Sequence, residues 1–305
     1  MSIPAYFIIG SATSGRCGVC ASIIEKALND DDFCGVFISD NEEKTQFDKR
    51  IASAQNAGFI NYSDADDARE KISQLDANRF THVFYIADST KNLADEIEEF
   101  KKTVDCGYVK LARIWGVLDC ATILKYPREC MPYADALAHF SDCLLLSRRS
   151  NISNKDVEDL KLRYEKLRYP MMTEYVNKKF EVSRPIELLI DEARRISMLF
   201  DDIDPIDELD FDDDDIPDEP FDLTRKPDPY MERLANGARI KTIPDISEYA
   251  RKMRAEEQSQ KKLVQMVRAC VCIHRRQVQN FVNKLQNIIT CQRNMRLGQT
   301  ALMTF

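Results

Sequence analysis

Residues 6–18 read Tyr6-Phe7-Ile8-Ile9-Gly10-Ser11-Ala12-Thr13-Ser14-Gly15-Arg16-Cys17-Gly18. A short apolar run meets a glycine. Four residues later a second glycine is followed by a basic and then a small residue. Such a chain leaves a strand through a tight loop and enters a helix. The loop lets backbone N–H groups wrap a phosphate chain, and the helix N-terminus adds its dipole. The spacing is that of the Walker A pattern. The candidate phosphate contacts are Gly10, Ser11, Ser14, Gly15, Arg16, Cys17 and Gly18.

Working outward, apolar runs of strand length alternate with segments of helical period as far as Phe200. Ala5–Ile9, Gly35–Ser39, Thr81–Ala87, Ala112–Leu118 and Cys143–Ser147 read as strands. Cys20–Leu28, Glu43–Ala57, Asp64–Leu75, Leu93–Val104, Ser153–Leu167 and Pro185–Phe200 read as helices. Ser153 is the expected N-cap of the helix it begins. Strands apolar on both faces and separated by helices predict a parallel sheet covered on both sides. The fold class expected is therefore α/β: a three-layer P-loop NTPase-like domain over residues 1–200 with a mainly parallel sheet.

The chain has 305 residues, 44% of them hydrophobic and 31% charged, and a net charge of -8. Residues 201–222 carry 13 Asp and Glu with no Lys or Arg. Like charge at that density, interrupted by prolines, predicts an acidic flexible linker over 201–224. Residues 225–305 then read as a basic, mainly helical C-terminal region. Leu263, Met266, Val267, Cys270, Val271, His274, Val278, Phe281, Val282, Leu285, Ile288 and Ile289 recur at three- and four-residue steps. That stripe needs a partner, either the first domain or a second copy of the chain. Between residues 251 and 293 Phe281 is the only Phe, Tyr or Trp, and no continuous basic face is evident, which argues against nucleic acid. No apolar run reaches the roughly 18 residues of a membrane span. The apolar start breaks at Gly10 and has no basic region before it, so a cytoplasmic protein without a signal peptide is expected.

The order of these segments resembles the CobW/HypB/UreG family of P-loop GTPases. Leu118-Asp119-Cys120 matches the Val-Asp-Ala-like turn of that family, and Phe140-Ser141-Asp142 matches its Phe-Ala-Asp helix end. Tyr169–Thr173 and Pro185–Leu189 correspond to its closing strand and helix. The resemblance covers roughly residues 5–200 and lies in order and spacing more than in identities. It implies binding of GTP or ATP with Mg2+, with Asp88 and Asp119 near the metal or the γ-phosphate and Ser147 and Arg148 as further nucleotide contacts, the arginine meeting phosphate or an acidic partner. Members of the family couple nucleotide state to partner contact in metal-centre assembly.

The departures are chemical. Arg16 stands in place of the Walker lysine, and its planar fork does not reproduce a compact ammonium. Cys17 stands where a hydroxyl ligates Mg2+, and a thiol suits a hard cation poorly. Ser147-Arg148-Arg149-Ser150 replaces the Asn-Lys-x-Asp that reads guanine, and no cysteine lies in 56–67, where the family has its metal motif. Two expectations follow. One is a divergent CobW-like nucleotide-binding protein with weak or no hydrolysis, with Asp88 as the catalytic candidate and Cys17 and Asp88 as metal candidates. The other is a pseudo-GTPase acting as a scaffold for an unidentified protein partner through its linker and tail.

The ten cysteines are expected to be reduced. A helix N-terminus lowers a neighbouring thiol's pKa. The pair Cys17-x-x-Cys20 therefore reads either as a redox or metal site or as packed thiols. The three histidines, His82, His139 and His274, lie in apolar contexts and read as packed residues.

Overall fold

The computed structural model describes residues 2–150, 152–201 and 227–267, with 279, 280 and 283. The expected acidic linker, beyond Asp201, and most of the expected tail stripe lie outside the described residues.

The predicted parallel sheet is present and has seven strands: β1 (Ile3–Gly10), β2 (Cys34–Ser39), β3 (Ala57–Tyr62), β4 (His82–Ile86), β5 (Val109–Asp119), β6 (Cys143–Ser147) and β7 (Met172–Tyr175). Their order is β3-β2-β4-β1-β5-β6-β7, and every pairing is parallel. Successive strand residues face opposite ways, which divides the core in two. Phe7 and Ile9 point into one cluster; Tyr6 and Ile8 point into the other.

Helices α1 (Arg16–Lys26) and α2 (Gln46–Ser53) cover the Tyr6 side. Helices α3 (Ala65–Ser73), α4 (Leu93–Asp105), α5 (Cys120–Lys125), α6 (Pro127–Phe140) and α7 (Asn154–Lys166) cover the Phe7 side. The result is a three-layer α/β fold. With all strands parallel, the loops after β1, β2, β4, β5, β6 and β7 gather at one edge, the usual ligand edge of open α/β sheets.

Local chemistry sets the helix starts. Thr45 and Asp48 form a capping box on α2, and Asn92, Asp119 and Ser153 cap α4, α5 and α7 through their side chains. Two sequence expectations need correction. The helix expected over Glu43–Ala57 is shorter, because β3 begins at Ala57. This edge strand, AGFINY, is half-buried and lacks the apolar run that marks the inner strands.

The helix expected over Pro185–Phe200 is a single 3-10 turn, Pro185–Leu189. Side chains from the sheet claim the carbonyls a helix would use. Tyr6 Oη donates to Leu189 O, Trp115 Nε1 to Leu188 O, and Arg113 to Glu187 O and Glu192 O. Buried Asp142 accepts the Arg194 N–H at 2.6 Å. These tertiary bonds hold the chain extended against its helical spacing.

The chain clusters into two units, Met1–Arg251 and Lys252–Phe305. Within the first, the segment after the acidic stretch packs on the Phe7-side core through Tyr230, Ile243 and Ile246. Asp228 accepts from His139 at 2.8 Å and from Ser197 at 2.5 Å. In the second unit, residues 252–267 are helical, with Leu263, Val264, Met266 and Val267 exposed. Among the described residues no helix is long and apolar enough to cross a membrane.

Candidate functional site

The loop between β1 and α1 adopts the geometry its spacing requires. Gly10 has φ 150° and lies so close to β5 that a Cβ would stand 2.5 Å from Val117 O. Gly15 has φ 90° and serves as N-cap of α1, a conformation that L-residues avoid. Ser14 closes the loop by donating its N–H (3.0 Å) and its hydroxyl (2.8 Å) to Ser11 O. From β6, Ser147 Oγ donates to Ser14 O at 2.6 Å and to Leu118 O at 3.0 Å.

The first α1 bond runs from Val19 N–H to Gly15 O. Among the described residues no backbone carbonyl accepts the N–H groups of Gly15, Arg16, Cys17 and Gly18, and that of Cys17 meets its own thiol, as expected for an open helix N-terminus. In the same loop Ser11 is 7% exposed, and its hydroxyl has no hydrogen-bond partner. An orphaned buried hydroxyl beside free N–H groups fits an anion with several acceptor oxygens.

Arg16 does not extend along the loop. Its guanidinium donates to Ala87 O, at the end of β4, and through Nη2 to Glu42 Oε1 at 2.7 Å. The Arg16 and Glu42 side chains are 2% and 8% exposed. The same Glu42 oxygen accepts the Ser89 N–H at 2.6 Å. Burial works against ionisation of Glu42, but Arg16 and the Ser89 N–H outweigh it and hold the carboxyl below its ordinary 4.5. A group depressed in the folded state adds stability above its unfolded pKa, and this is lost as pH falls through the folded value. Thermal midpoints measured from about pH 5 to about pH 3 should fall less steeply for Glu42→Gln than for the wild type. Equal slopes would show that Glu42 titrates alike in both states.

Asp88, the catalytic and metal candidate, is already occupied. Oδ2 accepts from Ser39 Oγ and Asn41 Nδ2, both at 2.8 Å, and Oδ1 accepts from the Thr90 N–H and hydroxyl. Burial opposes its ionisation; the bonds from Asn41, Thr90 and Ser39 hold it below the ordinary value. Its own N–H donates to Glu96 Oε2. Asp119 is likewise engaged: it caps α5 through Thr122 and accepts from Thr13 Oγ1 at 2.6 Å and from Arg148. Arg148 has φ 51°, so the turn after β6 folds back on Asp119. Arg149 lies over the Tyr175 ring, 4.5 Å from its centroid.

Phe180, in the loop after β7, lies against the start of α1. A Cβ on Gly15 would be 2.0 Å from its Cε1, and one on Gly18 would be 2.6 Å from its Cγ. The ring also meets Phe47 edge-on at 5.1 Å. Asn177 organises this loop by accepting the Lys179 and Glu181 N–H groups, and Glu181 pairs with Lys26 of α1 at 2.7 Å.

The residues expected to hold Mg2+, Cys17 and Asp88, do not fit that ion as they stand. Cys17 offers a thiol whose pKa burial pushes up to about 12 despite nearby Arg16, and Asp88 has four donors on its two oxygens. This also corrects the expected lowering of a thiol pKa at the helix start. Burial outweighs the pull of Arg16 on Cys17, and it raises the fully buried Cys20 as well. Seven described cysteines are free, and no group of three His, Cys, Asp or Glu residues suited to a metal occurs among the described residues. His139 is packed against Phe140 and Tyr230, and His82 against Tyr6.

No family model and no curated protein matches this chain. Two solved structures are similar to it. One is the Zn(II)-bound YjiA GTPase from E. coli, at 13% identity and TM-score 0.44. The other is a Zn(II)-bound triple mutant of YjiA GTPase, at 14% identity and TM-score 0.43. Each alignment covers 63% of this chain and 62% of the other.

The structure brings Gly10, Ser11, Ser14, Gly15, Arg16, Cys17 and Gly18 together in the loop, ties Asp119, Ser147 and Arg148 to it, and sets Asp88 one strand away. Sequence reasoning missed Glu42 and Phe180. Glu42 lies in the charged run Asp40–Lys44, which has the look of a solvated turn. Phe180 follows a strand of only four residues and has no periodic neighbours.

Proposed function

We propose that this chain is a divergent, CobW-like P-loop protein that binds the phosphates of a guanine or adenine nucleotide without hydrolysing it at a useful rate. The observation that carries the reading is the buried contact of Arg16 with Glu42 and Ala87 O. The loop's basic residue is held by the protein, so it is not free to gather charge on a transferring phosphoryl group. The free N–H groups and the orphaned Ser11 hydroxyl support phosphate binding.

The test is a thermal midpoint with millimolar GTP, GDP, ATP and ADP, with and without Mg2+, alongside phosphate release. A ligand bound only by the native state raises the midpoint. The expected result is a rise that pyrophosphate competes away, with phosphate release no faster than the protein-free control. Turnover would overturn the non-hydrolysing part. No shift with any nucleotide would favour the scaffold reading, which the Phe180 ring against Gly15 and Gly18 supports.

A further inference from the structure

We infer that the Glu42 carboxylate is a built-in substitute for a terminal phosphate, so that the loop takes a nucleoside diphosphate in preference to a triphosphate. The inference rests on the nucleotide-binding reading and sharpens it to a ligand class.

A terminal phosphate in a P-loop site is an anion with acceptor oxygens. It is met by the basic residue of the loop, which reaches the β- and γ-phosphates, and it orders the neighbouring switch segments. In this chain one oxygen of Glu42 takes both kinds of donor. It accepts Arg16 Nη2 at 2.7 Å and the Ser89 N–H at 2.6 Å, in the segment after β4. Both distances lie at the short end expected when an anion accepts. The pair is nearly sealed from water, at 2% and 8% exposure.

The carboxylate is held in place by its backbone. Glu42 N–H donates to Ser39 O at 3.1 Å and Asp40 N–H to Tyr62 O at 2.8 Å. Asn41 donates its N–H to Ser39 Oγ at 3.2 Å and its amide to Asp88 Oδ2 at 2.8 Å. A turn anchored to β2, β3 and the β4 loop thus delivers a fixed negative charge to the loop's basic residue. A third phosphate seeking Arg16 would meet this carboxylate, and two anions cannot share one buried donor set without strong repulsion. A diphosphate leaves it undisturbed.

The experiment uses the full chain as wild type, Glu42→Ala and the near-isosteric Glu42→Gln. GDP, ADP, GTP and ATP are titrated calorimetrically, and thermal midpoints are read with millimolar sulfate or inorganic phosphate. In the wild type the diphosphate of each pair should bind at least about tenfold tighter. The gap should close or reverse in both variants, and sulfate should raise the midpoint of Glu42→Ala more than that of the wild type. Triphosphate binding as tightly as diphosphate to the wild type would overturn the inference, as would an unchanged preference in both variants. If no nucleotide binds any of the three proteins, the nucleotide reading fails, and sulfate still decides on Glu42. Selective stabilisation of Glu42→Ala supports the carboxylate as an anion substitute; an equal response sinks it.

Discussion

Arg16→Ala lowers the unfolding free energy by about 3–5 kcal/mol, the cost of leaving one member of a buried ion pair behind. Glu42, 8% exposed, then keeps only the Ser89 N–H and no opposite charge, and Ala87 O loses its donor at the same time. In a domain of this size the melting midpoint falls by roughly 10 °C. The exposed pair Arg50–Glu25 gives the contrast: at 41% and 44% exposure it is screened by water, and its loss costs little. Replacing both partners by apolar residues, Arg16→Met with Glu42→Leu, removes the uncompensated charge, so the double variant melts above Arg16→Ala. The measurement is denaturant unfolding of the three proteins. A loss below about 1 kcal/mol for Arg16→Ala would show that the pair is open to water, contrary to its burial here.

Gly15→Ala costs about 4 kcal/mol from two separable sources. A side chain at φ 90° carries backbone strain of about 1–3 kcal/mol. The added Cβ falls 2.0 Å from Phe180 Cε1 and 2.4 Å from Cδ1, and such overpacking costs about 1–3 kcal/mol more. Phe180→Ala removes the second source and leaves the first. In the Phe180→Ala background the same glycine substitution therefore costs only the strain, and the cycle is non-additive by the difference. Strict additivity would mean that the ring gives way freely and does not press on the loop.

The two effects lie at different distances from what a sequence can carry. The glycines, the strand before them and the helix after them are local requirements, written in consecutive residues. The inner strands β1, β2, β4, β5 and β6 are legible for a related reason. Burial on both faces demands unbroken apolar runs, and a parallel sheet demands helices between them. The edge strands β3 and β7 are not legible in this way. Half-buried and short, they need fewer apolar residues and leave a weaker trace.

The residues from Pro185 onward mark where local reading stops. Their helical spacing is real, yet Tyr6, Arg113, Trp115 and Asp142, distant in sequence, take the backbone groups a helix would pair internally. The competing bonds exist only once the sheet has formed.

The amino-acid sequence by itself determined the parallel α/β layering, the place of the tight loop from Gly10 to Gly15, and that an arginine and a cysteine follow its second glycine. Only the tertiary structure decided which group Arg16 serves, that Asp88 has its oxygens filled, that Cys17 is a raised thiol, and that Phe180 lies on Gly15 and Gly18. The physical reason is range. Backbone conformation and burial period are set by near neighbours. The protonation and bonding of a buried polar group are set by whatever partner the fold brings within about 3 Å.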